Sequence, residues 1–572
     1  MGIVLLLGVV IGLFALNFPL FKRGEEVSIT SGGKVQSKGT YYQGALSSGV
    51  FIVGDIGEDQ KVLTTLAQDY HGSGASVMTM DLSGHGTSSE ALETGRAFQD
   101  NLLQEVRSGL DAFRKKSGLE DEAILLVGHG CGARALLQIL ASDKQTFLGA
   151  SLIAPMVFLD GKEGSPIYVD GWDDSKTGWV SSLSPQSVGI PLQIVATEKD
   201  DIVSVASLRE LYRKLTGTSP SVESPSKKAK SEKEPKEKLT TRLYNTLING
   251  SSSKTDGDSC TNGNVTFTLL PTGYHSHQMM SNGVVSVSKI WAHSKAGMRT
   301  VSSTSFFPLL KTICWGIGLF AILMVSACSM VLSWNRYPGI SQDSCGISLY
   351  PWRSLVIRLV VWLIGAAVGL LLWLVLRVLP FGEPSGRTLI PALLCGYAFA
   401  DLILYASHKM PGARGSLQTF TGTLSIWRTI TSSVMLAGLC VLAWFFGESG
   451  LFLTRLDGDR TFWVAAVTIL MSAAFYLIEL EADIFSDNHV GILHGFLYRL
   501  VLLAPFLSAV LFLWLFGQVS SCFRLLQSVF PLIICINFSG AFHRHSGARV
   551  IPAIGSAVLY SLMVIPSAVM LA

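Results

Sequence analysis

The pentapeptide Gly128-His129-Gly130-Cys131-Gly132 follows an apolar run, residues 123–127, and precedes a helical stretch, residues 133–140. Strand, tight glycine turn and helix in that order make the elbow that presents a nucleophile on a strained backbone, with the spacing G-x-S-x-G. Both flanking glycines are present, but the nucleophile position is Gly130, which has no side chain. Cys131 is either a replacement nucleophile or a buried, inert thiol. The first reading requires small residues at positions 129 and 133, and His129 is bulky. At the position after the nucleophile, the backbone N–H ordinarily serves a developing oxyanion.

The flanking elements extend the pattern. Residues 29–34 read as an opening hairpin and residues 49–53 as a buried strand. Residues 77–88 read as a strand closed by the turn D-x-x-G-x-G-x-S. Residues 190–196 form another apolar run, followed by Glu198-Lys199-Asp200-Asp201-Ile202-Val203, and residues 269–275 end on His275. On these motifs, taken in this order, the segment from Glu26 to about Trp291 resembles the α/β-hydrolase superfamily, in particular its monoglyceride-lipase-like and serine-aminopeptidase-like members. The resemblance implies a mostly parallel sheet with helices on both faces. It makes Asp200 the acid and His275 the base of a residual triad, with Gly130 the vacant nucleophile position. Oxyanion donors would be the backbone N–H groups of Ile56, Gly57 and Cys131. The superfamily's His-Gly turn is replaced by Gly54-Asp55-Ile56-Gly57, and a carboxylate at Asp55 disfavours a nearby oxyanion. Without a nucleophile the acid–histidine pair has nothing to activate. Water activated by His275 is a further option, and no cofactor or metal is implied.

Composition divides the chain. Residues 24–296 read as the hydrolase-like domain, with a polar, Lys/Glu/Ser/Pro-rich insertion at 216–260 that has too few apolar residues to form a core. Residues 160–187 occupy the place of a lid and carry Trp172 and Trp179. Residues 1–23 are an apolar anchor or a signal peptide. Residues 304–572 hold about eight apolar runs, centred on 306–334, 355–378, 389–405, 430–446, 462–480, 492–516, 525–538 and 550–571, which predict an all-α polytopic membrane domain. The net charge of +3 carries no overall basic signature for nucleic acid. The nine cysteines form neither a metal-ligand spacing nor a disulfide framework.

Within the membrane half the pattern A-x-H-[K/R]-x-x-G-A-R occurs at 406–414 and again at 541–549, marking a repeated two-helix unit. The predicted topology brings His408, His489, His494, His543 and His545 to one face, with Asp401 near it. This is either a polar cluster for metal, headgroup or proton, or a set of interfacial loop residues. The Lys and Arg count between spans favours that face as cytoplasmic with the hydrolase-like domain outside, whereas Lys22-Arg23 after the anchor favours the opposite orientation. The expected partners are the lipid bilayer and a lipid or small acyl ligand. Three functions fit: a pseudohydrolase acting as a binding or regulatory module, an active membrane-bound hydrolase with a non-standard nucleophile, or a transporter-like bundle regulated by the globular part.

Overall fold

The computed structural model describes residues 24–296, with breaks that include 160–177 and 222–257, and residues 351–571, with breaks that include 407–457. The chain forms two compact units, one built on Leu16–Ile313 and one on Cys314–Ala568.

Apolar runs bounded by turn residues give the first unit its strands: β1 (Glu25–Ser31), β2 (Lys34–Tyr42), β3 (Gly49–Val53), β4 (Ser76–Met80), β5 (Ile124–His129), β6 (Gly149–Ile153), β7 (Leu192–Thr197), β8 (Asp258–Asn262) and β9 (Val265–Leu270). They form one sheet in the order β1-β2-β4-β3-β5-β6-β7-β9-β8. The strands from β4 to β9 in that order run parallel, while β1, β2 and β8 add antiparallel edges. β3 to β7 are buried along their whole length, as parallel strands covered on both faces must be. Helices α1 (Gln60–Gly72), α2 (Gly95–Ser117), α3 (Gly130–Asp143), α4 (Gly178–Ser181), α5 (Val205–Thr216) and α6 (Asn282–Ala296) join them. Phe51, Phe113, Leu126, Leu136 and Phe267 lie in the core.

The register decides where chemistry can collect. Val53 pairs with Gly128, His129 with Ile153, and Thr197 with Leu270, so the carboxyl ends of β3, β5, β6, β7 and β9 finish at one rim. Loops leaving those ends meet above the sheet, where ligands bind in open α/β folds. This unit has the α/β-hydrolase fold.

The polar insertion is narrower than its composition suggests. Gly217 caps α5 with φ 74°, and Asp258–Asn262 is the edge strand β8. Residues 222–257 of the insertion and most of the lid segment, Trp172 included, lie outside the described residues.

The second unit contains α7 (Pro351–Leu376), α8 (Leu389–Ala406), α9 (Gly458–Ser486), α10 (Gly491–Leu515), α11 (Val519–Ser546) and α12 (Val550–Val564). These carry six of the predicted apolar runs; the runs at 306–334 and 430–446 lie outside the described residues. Among the described residues one helical stretch, Asp459–Glu479 in α9, is long and apolar enough to cross a membrane, and the other apolar stretches are shorter. Of the expected eight spans, the described residues thus supply one candidate of full length in a helical unit.

α7 and α8 pack backbone to backbone. A Cβ at Gly396 would lie 2.2 Å from the Gly365 carbonyl oxygen and 2.4 Å from the Gly369 nitrogen. Glycines spaced four apart open a groove that lets a second helix approach this closely. Gly396→Leu is therefore expected to separate the two helices and lower the thermal unfolding midpoint of the detergent-solubilised chain, while Gly72→Ala, whose added Cβ meets nothing within 4 Å, leaves it unchanged. A Gly396→Leu protein as heat-stable as the parent would refute this packing.

Candidate active site

The elbow forms where the spacing predicts. β5 ends at His129, α3 begins at Gly130, and Gly130 adopts φ 53°, the left-handed conformation in which a side chain is strained. Gly128 and Gly132 are required by contact, because a Cβ on Gly128 would meet the Ala133 backbone at 2.6 Å and one on Gly132 the Gly54 carbonyl at 2.5 Å.

The space above Gly130 is filled by Asp55, from the loop after β3. A Cβ built on Gly130 would lie 2.1 Å from the Asp55 Cγ. Asp55 Oδ1 accepts the Cys131 backbone N–H at 2.7 Å, and Oδ2 accepts from His275 Nε2 at 3.0 Å. One carboxylate thus occupies both the nucleophile's place beside the histidine and the acceptor's place at the elbow N–H. On its other side His275 Nδ1 donates to Asp200 Oδ2 at 2.9 Å, and Asp200 Oδ1 accepts the N–H groups of Ile202 and Val203. With acceptors at both ring nitrogens, His275 holds both protons as an imidazolium.

A second histidine closes this arrangement into a ring. Asp55 N–H donates to Glu58 Oε2 at 2.9 Å, and that oxygen lies 2.9 Å from His129 Nδ1. His129 Nε2 donates to the Gln278 Oε1 at 3.2 Å, and Gln278 Nε2 donates to Asp200 Oδ2 at 2.6 Å and to Thr197 Oγ1 at 2.8 Å. The His129 and His275 rings stack with centroids 4.8 Å apart. Glu58, His129 and Gln278 were not identified from the sequence. The bulky His129 inside a glycine elbow was the visible signal, and Gln278 lies only three residues beyond His275 in the same 3-10 turn, His275–Met280.

Electrostatics follow the geometry. Burial alone would raise the Asp55 carboxyl, but the His275 hydrogen bond and charge outweigh it and hold its pKa well below the usual carboxylate range. Burial is likewise overcome at Asp200, which His275 and the two loop N–H groups lower. For His275 burial favours the neutral ring, yet Asp200 and then Asp55 prevail and raise its pKa well above 6.5. Burial, followed by the Asp55 charge, pushes the Cys131 thiol well above its ordinary range. The Cys131 thiol is fully buried, and His275 Nε2 faces Asp55 and not the sulfur, an arrangement that favours the buried thiol over the replacement nucleophile.

The predicted oxyanion donors are engaged internally as well. Cys131 N–H is bound by Asp55, Ile56 N–H points at the Cys131 sulfur, and Gly57 N–H donates to His85 Nε2 at 2.7 Å. His85 belongs to the D-x-x-G-x-G-x-S turn, and its Nδ1–H donates to the Ser83 carbonyl, leaving Nε2 as acceptor. In the same turn Asp81 accepts from the Gln60 backbone at the start of α1 and from its side chain. Gly86, with φ 48°, lies against that carboxylate. Behind the turn, burial pushes Glu105 up to about 8, although it accepts the Ser83 N–H.

For the polar cluster expected in the second unit, the structure gives only the elements that carry four of its members. Asp401 falls in α8, His494 in α10, and His543 and His545 in α11, while His408 and His489 lie outside the described residues. No group of three or more His, Cys, Asp or Glu able to hold a metal occurs among the described residues.

Residues 47–186 match the family model described as serine aminopeptidase, S33. Among solved structures, a Pyrococcus furiosus esterase is similar at 15% identity over 50% of this chain and 95% of its own, with TM-score 0.33. The thioesterase domain from the curacin biosynthetic pathway is similar at 14% identity over 47% and 99%, with TM-score 0.31. A Pyrobaculum calidifontis esterase is similar at 16% identity over 52% and 92%, with TM-score 0.32. No curated protein matches the chain.

Two predictions follow from the crowding and charge above Gly130. Gly130→Ser alone inserts a side chain into the Asp55 carboxylate at positive φ and is expected to destabilise the chain by roughly 2–4 kcal/mol without creating esterase activity. Asp55→Gly with Gly130→Ser vacates that space, frees the Cys131 N–H and sets a hydroxyl beside His275. Esterase activity is expected only in this double variant, measured on a short acyl ester.

The second prediction concerns pH. His275 has a raised folded pKa, so its stabilisation is complete below its unfolded value of about 6.5 and fades as pH rises through the folded value. Glu105, also raised, keeps a proton that the unfolded chain releases above about 4.5, so stability falls between there and about 8. Asp55 and Asp200 are lowered, and their contribution disappears only in acid, below about 4. Thermal unfolding of the full chain should therefore be most resistant in mildly acidic buffer and weaken through neutrality. Glu105→Gln should flatten the slope between about 4.5 and 8. An unchanged slope would show that Glu105 is ionised in the folded protein.

Proposed function

We propose that the first unit is a pseudohydrolase: a hydrolase-fold module whose site is closed by its own carboxylate and which serves as a binding or regulatory domain on a membrane-embedded helical unit. The observation that carries this reading is the position of Asp55. Acyl transfer requires an attacking group beside the histidine and free donors for the oxyanion. Asp55 occupies both places, and a negative charge already held at the elbow N–H opposes a second one forming there.

Membrane attachment is the second part of the proposal. It is supported by the α9 stretch Asp459–Glu479 and by apolar side chains on the outside of the helical unit, among them Leu363, Leu371, Val375, Ile469 and Leu515, each more than 60% exposed. Surfaces of that kind are covered by lipid or by another protein. A lipid or small acyl ligand remains the natural candidate for a module of this fold.

One observation favours a second reading. His275 still faces an oxygen nucleophile, the Asp55 carboxylate, as an active site with a non-standard nucleophile would require. Against it, both oxygens of that carboxylate accept hydrogen bonds and its side chain is 3% exposed.

The deciding experiment incubates the purified full chain in detergent with short and long acyl esters, in water enriched in oxygen-18. The pseudohydrolase reading predicts no turnover that His275→Ala abolishes and no label in Asp55. His275-dependent turnover would overturn it, and label incorporated into the Asp55 carboxylate would establish the second reading.

A further inference from the structure

The first unit carries a surface feature that its closed site does not use. Three asparagines head the triplet N-x-[S/T] that an oligosaccharyltransferase accepts: Asn249, Asn264 and Asn537. Their places in the fold separate them. Asn537 lies inside α11, where its Nδ2 donates to the Ile533 carbonyl at 2.8 Å and where Phe538 and Ser539 are buried. Asn249 lies outside the described residues. Asn264 stands at the tip of the β8–β9 hairpin and is exposed.

The hairpin fixes that tip. Asn262 pairs with Val265, so Gly263 and Asn264 form a two-residue loop. Gly263 adopts φ 57°, the positive value that the first position of such a loop needs to match the twist of the paired strands. The Leu192 N–H donates to the Asn264 carbonyl at 2.8 Å and ties the backbone of the tip to β7. The side chain makes one contact, from Nδ2 to the Gly189 carbonyl at 3.2 Å. A Cβ at Gly263 or at Gly189 would meet nothing within 4 Å, so the space around the tip is open. The tip is also at the N-terminal end of β9, whereas the His275 loop leaves the other end of that strand. A large group at Asn264 therefore leaves the rim of the site untouched.

We propose that Asn264 is an N-glycosylation site, modified as the chain enters a secretory compartment. The apolar run at residues 1–23 and the Lys and Arg count between spans agree with that placement of the first unit. In the reaction the amide nitrogen bonds to the anomeric carbon of an oligosaccharide carried on a polyprenyl diphosphate. The carbon–oxygen bond to the diphosphate breaks, the diphosphate leaves with the electron pair, and the nitrogen gives up one proton. One N–H remains to donate to the Gly189 carbonyl.

The hydroxyl of the triplet sets the timing. Thr266 Oγ1 is bonded to Thr261 Oγ1 at 3.2 Å across the hairpin, and both Val265 and Thr266 are buried. The transferase reads that hydroxyl, so transfer precedes the closure of β8 on β9. In the folded protein the glycan then stands beside β8, the exposed edge of the sheet, and shields it from pairing with another chain.

The test expresses the full chain in a cultured eukaryotic cell and compares its gel mobility before and after digestion with peptide-N-glycosidase F. The parent is expected to shift to lower mass. Asn264→Gln and Thr266→Val should each remove one glycosidase-sensitive step, Thr266→Ser should keep it, and Asn249→Gln should leave the Asn264 step in place. Because transfer precedes folding, a variant that folds poorly still reports on the site. A parent chain without any glycosidase-sensitive step, or an Asn264→Gln chain that keeps every step of the parent, would overturn the inference. Neither result depends on turnover, so the pseudohydrolase reading stands or falls separately.

Discussion

The contact between the Asp55 carboxylate and the His275 imidazolium is the constraint on which the arrangement of the first unit depends. It joins the loop after β3 to the loop after β9, residues 220 apart in sequence, directly above the elbow. Position 130 must then be glycine, since any Cβ there would collide with Asp55. The acid of the residual triad also acquires a changed role. In a working triad it orients a histidine that shuttles protons. Here Asp200 and Asp55 hold the two ring nitrogens of His275 between them and favour its protonated form. Breaking a buried, hydrogen-bonded pair of this kind ordinarily costs about 3–5 kcal/mol, because the remaining charge loses its partner. The constellation has the residues of a catalytic machine and the electrostatics of a structural clamp.

The surrounding ring extends the clamp. Glu58, His129 and Gln278 tie the β3 loop, the elbow and the β9 loop to one another, and each member is buried. The D-x-x-G-x-G-x-S turn contributes from the other side, with His85 binding Gly57 N–H and Asp81 capping α1. The Cys131 and Gly57 N–H groups, two of the expected oxyanion donors, are thereby engaged within the protein. Substrate would have to displace hydrogen bonds already made, and the rim of the sheet becomes a rigid platform.

Much of this was legible in the sequence because its signals are local. Strand, glycine turn and helix are contiguous around Gly130, and Asp200 and His275 each follow an apolar run at the expected distance. Asp55 was legible only in part. Its charge announced conflict with an oxyanion, but its position over Gly130 depends on two loops meeting in three dimensions, which no local pattern encodes. Glu58 and Gln278 escaped notice for the same reason. In the helical half, hydropathy located six helices that the structure contains, because an apolar run is again a local signal. The glycines of α7 and α8 were unreadable too, since the groove matters only once Gly396 is set against Gly365 and Gly369.

The protonation state of His275 tests the central claim most directly. Nitrogen-15 NMR of the full chain labelled at histidine, with His275→Gln to assign the signal, reports both ring nitrogens at once. Two protonated nitrogens at neutral pH, persisting well above pH 6.5, would show the imidazolium clamped between Asp55 and Asp200. A neutral ring carrying one proton and titrating near its ordinary value of about 6.5 would contradict the clamp and return His275 to the role of an available base.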